Sequence, residues 1–414
     1  MVDTKALNEF VAATATELDV PGVSIGLLYD GVEQYAFHGV TSLENPLPVN
    51  ADTLFQFGST GKTFTATAML RLVDQGLVDL DAPVRTYVPE LKLKDESVAE
   101  AVTVLQLFNH TAGWSGDLMD NTGDGDDALA KYVDRMATIE QVSPLGETVS
   151  YNNASLSLAG RVIEKVTGQT FEQAIRELLL DPLDLEHSFF FPSEVMTRRF
   201  AVGHNQKPDG SIAVARNWAL PRAAAPAGGI SANAADQIAW AKFHLGDGLA
   251  PDGKRLLSSE LLARMQKPSV DMAGSALGDA VGISWLLKDV GGVRLVSHGG
   301  TTNGQHSTFV MVPERGFAFI SMTNCGPNGP QLNDAVLAWA LETYLGIKEE
   351  QPEPLHLTAA ELAPYTGTYE TIAATVDIEA DDGRLLLQVT IKPETLAALR
   401  ESGDDHGAGE PQPP

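Results

Sequence analysis

Ser59 and Lys62 stand three residues apart in the run Phe57-Gly58-Ser59-Thr60-Gly61-Lys62-Thr63-Phe64. On a helix, residues i and i+3 share a face, so the Lys62 nitrogen can reach the Ser59 hydroxyl. A serine hydroxyl is a weak nucleophile until a neighbour takes its proton or stabilises its alkoxide. A lysine can do either. Phe64, Ala66, Ala68, Met69, Leu70 and Leu72 follow, up to Gly76, which predicts a largely buried helix from about Ser59. The hydroxyl would then lie at a helix N-terminus, where N–H groups and the dipole favour negative charge. Taken alone, the pair also fits a helix cap beside a solvated lysine. Two other chemistries fail on single residues. A phosphate-binding loop needs glycine where Gln56 stands, and a nucleophile elbow needs glycine where Phe57 stands.

Acylation of a serine also needs a base, an oxyanion hole and an edge that holds substrate. Tyr151-Asn152-Asn153 precedes a predicted helix, and His298-Gly299-Gly300-Thr301 ends a predicted strand. Each has a plainer reading. Tyr151 alone suits a core or surface tyrosine. Asn153 alone suits a cap for the helix that starts at Ala154. His298 alone suits a histidine beside a Gly-Gly turn. Asn109 and His110 read as loop-shaping residues, Trp114 and Trp285 as core aromatics, and His306 as a neighbour of the third run.

These runs must be positioned by the elements between them. Val23, Ile25 and Leu27 alternate before Asp30-Gly31, and Gln34 to Val40 returns, which predicts a hairpin. A long polar and helical stretch covers residues 81–236. Its helices include Leu156 to Val166, stopped by Gly168, and Phe171 to Leu180, opened by a capping box of Thr170 and Gln173. Strand patterns return at 282–287, 293–297, 307–312 and 317–323, and a helix follows at 332–345. The expected class is α+β: an antiparallel sheet flanked by helices, with a helical lobe and the site in the seam. The main domain spans 1–347, a proline-bearing linker 348–355, a short β segment 356–400 and a disordered tail 401–414.

Composition narrows the partners. A net charge of −27 over 414 residues repels nucleic acid and anionic membranes. No apolar run reaches the ~18–20 residues of a membrane span. The start has no basic, apolar leader pattern, and the single cysteine, Cys325, suits a reducing compartment, so a cytoplasmic location is expected, with export of a longer precursor left open. The nine histidines form no metal-binding spacing, and neither a metal nor a cofactor is expected.

In their order, the three runs resemble those of the serine β-lactamase and penicillin-binding protein superfamily. That branch holds class C β-lactamases, DD-peptidases, D-aminopeptidases and family VIII esterases. Its marks are Ser-x-x-Lys, Tyr-x-Asn and Lys/His/Trp-x-Gly. Leu107-Phe108-Asn109-His110-Thr111-Ala112-Gly113 and Pro226-Ala227-Gly228-Gly229-Ile230-Ser231 are similar to two further family segments. The resemblance spans roughly residues 5–346. It implies that Ser59 forms an acyl-enzyme and that Lys62 and Tyr151 share the base role. A phenol with a pKa near ~10 needs a cation beside it to act at neutrality, and Lys62 can supply one. The resemblance further implies that Asn153 and His298 bind substrate. Gly300 and Thr301 would complete the oxyanion hole with the Ser59 N–H.

The implied partner is a small-molecule or peptide acyl substrate, cleaved at an amide or ester bond. Acyl transfer to an amine and a non-catalytic sensor are the alternatives, and the oligomeric state is left open. His298 stands where many lactamases have lysine. A histidine is only partly protonated near neutrality, which argues against strong lactamase activity. The resemblance implies a peptidase direction, since in the family His-x-Gly goes with peptidases, D-aminopeptidases and stand-alone thioesterase-cyclases. Residues 356–400 resemble the opening strands of a lipocalin-like domain that some relatives carry.

Overall fold

The computed structural model describes residues 4–116, 118, 121–207, 209–349, 355–371, 373–381 and 383–402. The strands β1 (Gly22–Tyr29) and β2 (Val32–Gly39) form the expected hairpin. Asp30 and Gly31 both have positive φ, 51° and 74°, the twist that a two-residue hairpin loop requires. Four short strands follow: β3 (Phe55–Gln56), β4 (His204–Gln206), β5 (Ile212–Val214) and β6 (Ser231–Ala232). The chain then lays down β7 (Val270–Ser275), β8 (Gly278–Val281), β9 (Leu286–Val290), β10 (Val293–Thr301), β11 (His306–Val312) and β12 (Phe317–Thr323). The main sheet is antiparallel in the order β2-β1-β12-β11-β10-β9-β8-β7. Every residue of β12 is buried, as a central strand covered on both faces must be.

Two strand expectations need correction. The run 282–287 is not one strand. Residues 282–285 turn between β8 and β9, with Gly282 N–H bonded to the Trp285 carbonyl at 2.8 Å and Ser284 at φ 57°. A Cβ at Gly282 would lie 2.1 Å from the Met265 carbonyl, so this close approach requires glycine. The apolar content of the run marks burial of Ile283 and Trp285, not pleating. Second, β10 continues past Ser297 to Thr301, which makes His298-Gly299-Gly300-Thr301 part of the strand.

The Gly61–Asp74 helix is buried on nearly every face, including Lys62. It is a central helix, held between the helical lobe and the sheet, rather than an amphipathic surface helix. The lobe helix Ala154–Thr167 ends at Gly168 in the left-handed conformation, φ 72°. The next helix opens on the Thr170–Gln173 capping box. Phe57, Phe64, Trp240 and Trp285 join both layers in one apolar core.

Chain contacts divide the molecule into two compact units, residues 1–204 with 214–348, and residues 205–213 with 349–414. The second unit holds an antiparallel sheet of β13 (Gly367–Glu370), β14 (Ala374–Asp381) and β15 (Arg384–Ile391), in that order. Its register puts Tyr369, Val376 and Val389 on one face and Thr368, Asp377 and Gln388 on the other. Most of the expected linker, 350–354, and residues 403–414 of the expected tail lie outside the described residues.

Candidate active site

Ser59 sits in a 3₁₀ turn, Gly58–Thr60, that leads directly into the Gly61–Asp74 helix. Two segments converge on this turn at three glycine contacts. Gly58 has φ 56°, and a Cβ there would meet Thr301 N at 2.7 Å. A Cβ on Gly300 would lie 1.9 Å from the Phe57 carbonyl oxygen and 2.7 Å from Ser59 N. A Cβ on Gly228 would lie 2.8 Å from the Gly58 carbonyl carbon. The backbone of β10 and the Ala225–Gly228 helix therefore press directly on the serine turn. Side chains lock this contact. Thr60 Oγ1 donates to the His298 carbonyl at 3.0 Å, and Ser307 Oγ donates to the Phe57 carbonyl at 2.7 Å.

Lys62 is fully buried. Its Nζ donates to Ser59 Oγ at 2.9 Å and to the Ala227 carbonyl at 2.9 Å. It also lies 4.9 Å from the centre of the Tyr151 ring. The solvated-lysine reading of the pair is therefore excluded.

Tyr151 is held by His110. The carbonyl of His110 accepts from Ser150 N at 2.8 Å, and its Nδ1 accepts from Asn152 N at 3.2 Å. The two rings stand 4.6 Å apart. Since Nδ1 accepts, the ring is neutral with its proton on Nε2. Burial, then the nearby Lys62 and His298, push its pKa well below the usual value. His110 adopts φ 61°, a left-handed conformation uncommon outside glycine. Asn153 occupies the N-cap position of the Ala154–Thr167 helix, but its side chain makes no cap bond. The capping role falls to Asn152, whose Oδ1 accepts from Ser155 N at 2.8 Å and from Trp114 Nε1 at 3.0 Å.

The expectation of a partly protonated His298 is overturned. Its Nδ1 lies 2.6 Å from the Gly299 carbonyl, which can only accept, so Nδ1 carries the proton. Its Nε2 is buried and has no hydrogen-bond partner among the described residues. Burial first, and the Lys62 charge second, lower its pKa to about 3. The neutral imidazole lies beside the Tyr151 loop, its ring 6.1 Å from that of Tyr151. Thr301 is exposed at the strand end, with Oγ1 3.2 Å from His306 Nδ1. Burial lowers the His306 pKa to about 4.

Sequence reasoning missed four parts of this site: the Ala227 carbonyl, Thr60, Ser307 and the grip of His110 on the Tyr151 loop. Backbone acceptors carry no side-chain signature. Among the described residues, no group of three or more His, Cys, Asp or Glu is placed to hold a metal. No described helix is long and apolar enough to cross a membrane.

The family profile described as Beta-lactamase matches residues 7–343. The chain belongs to that family, whose members are serine hydrolases. It is 35% identical to Penicillin-binding protein 4 of Amycolatopsis lactamdurans over 363 residues, 86% of this chain and 95% of that protein. Two solved structures share the fold. One is the octameric penicillin-binding protein homologue from Pyrococcus abyssi, with a TM-score of 0.72, 24% identity, and coverage of 94% of this chain and 88% of that one. The other is the D-amino acid amidase from Ochrobactrum anthropi SV3, with a TM-score of 0.66, 24% identity, and coverage of 80% and 95%.

Proposed function

We propose that this protein cleaves an amide or ester bond through an acyl-enzyme on Ser59. One observation carries the reading: a buried lysine nitrogen 2.9 Å from the serine oxygen and 4.9 Å from the Tyr151 ring centre. Ser59 Oγ attacks the substrate carbonyl and gives its proton to the Lys62–Tyr151 pair. The oxyanion is met by the backbone N–H groups of Ser59 and Thr301; the close approaches of Gly58 to Thr301 and of Gly300 to Ser59 support this pairing. The pair then returns the proton to the departing amine or alcohol. Water, deprotonated by the same pair, releases the acid. Asn153 orients the substrate amide.

The neutral His298 refines the substrate class. It puts a buried, uncharged ring where a lysine would offer a cation, so the substrate need not present a carboxylate there. Amides and esters of amino acids suit this edge, and the fold shared with a D-amino acid amidase supports testing D-amino acid amides first. The test is intact-mass detection of an acyl adduct after a D-amino acid amide, p-nitrophenyl acetate or a fluorescent penicillin. A mass gain in the wild type that disappears in Ser59→Ala is expected. Turnover retained by purified Ser59→Ala would overturn the proposal.

A further inference from the structure

A second concave site, a cavity of about 380 Å³, adjoins the first, and none of the acylation residues lines it. Its walls include Phe190, Phe191, Trp218, Leu220, Pro221 and Ala225. Its polar groups are turned toward one another. Arg222 donates to both Glu172 oxygens at 2.9 and 3.0 Å, to the Asp124 carbonyl at 2.7 Å, and pairs with Asp126 at 2.9 Å. Gln56 Nε2 donates to the Trp218 carbonyl at 2.6 Å. Arg222 also lies over the Phe191 ring, 5.2 Å from its centre, so a ligand meets aromatic walls and no unspent cation. Asp124, Asp126 and Glu172 outnumber Arg222, so the local field opposes an anion. The volume lies in the range of small-molecule sites, ~300–1,000 Å³.

The cavity shares a wall with the catalytic centre. Ala225 and Gly229 line it, while Ala227 between them accepts from Lys62 Nζ and Gly228 abuts Gly58. A group seated in the cavity thus lies within one helical turn of the residue that anchors the lysine.

We propose that this cavity binds an aromatic group bearing a protonated or neutral amine. Aromatic walls supply stacking and burial, and the acidic surroundings favour the amine over a carboxylate. Two sources share that chemistry: the side group of an amino-acid substrate, or a free aromatic amine. Binding itself does not depend on the acyl-enzyme reading. Only the substrate source rests on it.

The test uses the full chain, as wild type and as Ser59→Ala, with 2-phenylethylamine and phenylacetate as probes of matched size and opposite charge. Calorimetry is expected to show at least tenfold tighter binding of the amine, equal in the two proteins. Leu220→Trp, which fills the cavity, should weaken the amine at least tenfold while p-nitrophenyl acetate turnover persists. Should that variant not fold, Phe191→Ala removes an aromatic wall and should weaken binding in the same direction. Equal affinity for both probes, no binding of either, or undiminished binding in the folded wall variants would overturn the proposal. The source is read separately. A preference for phenylalanine over alanine p-nitrophenyl esters that vanishes in Leu220→Trp identifies a substrate group. A change in p-nitrophenyl acetate turnover caused by the amine without competition identifies a free ligand. If Ser59 were not the nucleophile, the Ser59→Ala chain would still bind the amine, so the two readings fail independently.

Discussion

Gly300 and Phe57 are in such close contact that a Cβ at position 300 would stand 1.9 Å from the Phe57 carbonyl oxygen. Backbone does not yield cheaply to such an overlap. The same added atom would lie 2.7 Å from Ser59 N, one of the two proposed oxyanion donors. Gly300→Ala should therefore push β10 off the serine turn and separate the Ser59 and Thr301 N–H groups. Loss of a positioned donor costs on the order of 10²-fold in rate. Acylation by p-nitrophenyl acetate, followed by mass and by stopped flow, is expected to fall by about that factor. A wild-type rate in this variant would show that the contact does not shape the oxyanion site.

The Lys62–Tyr151 pair predicts a second result. Tyr151→Phe removes the hydroxyl and keeps the ring that lies against His110. Lys62→Ala removes the amine but also strips the Ala227 carbonyl of its donor, at a cost of about 1–3 kcal/mol of stability. Each variant should lose most of its acylation rate, and the double variant should lose little more than the worse single one. Losses that multiply would assign the two residues to separate steps. Melting temperatures must accompany the Lys62 measurements.

His298 gives a third. Its pKa of about 3 keeps the ring neutral across the working range. A matched pair of substrates, one neutral and one carrying a carboxylate, should then show parallel kcat/KM profiles between about pH 5 and 8. Selective loss of the anionic substrate as pH rises from 6 to 7 would reveal a charged histidine and refute the buried tautomer.

The sequence made some of this legible and hid the rest for identifiable reasons. The first hairpin was readable because Asp30-Gly31 and the alternation of Val23, Ile25 and Leu27 are local signals. The meeting of Ser59 with Lys62 was readable because helical spacing sets it. The protonation of His298 was not, since it depends on burial by the whole fold and on a lysine 236 positions earlier, 298 less 62. Asn153 looked like the cap because it precedes the helix, yet Asn152 makes the bond, a choice fixed by Trp114 and Ser155. Residues 282–285 looked like strand because burial and pleating leave the same apolar trace.

The last prediction concerns acid stability. His110, His204, His244, His298 and His306 all have pKa values lowered by burial, to about 3 for His244 and about 4 for His306. In the unfolded chain each titrates near ~6.5. A depressed pKa means the folded state binds fewer protons, so its contribution is complete above about pH 6.5 and is lost as pH falls toward the folded value. The fully enclosed His244 and His298 can each remove up to about 1.4 kcal/mol per pH unit below that point. Buried Glu164 and Asp236 have pKa values raised chiefly by burial and act with the opposite sign, adding stability as pH falls. Five lowered histidines outnumber these two carboxylates, so the histidine trend sets the slope between pH 7 and 5. Denaturant unfolding at half-unit steps should show stability falling across that window. His244 is packed among Trp240, Phe243 and Trp285, so His244→Phe keeps an aromatic ring there and deletes one titration. Its slope should be shallower by about one proton. A flat wild-type profile from pH 7 to 5, or an unchanged slope in a folded His244→Phe, would show that these histidines are protonated in the native state.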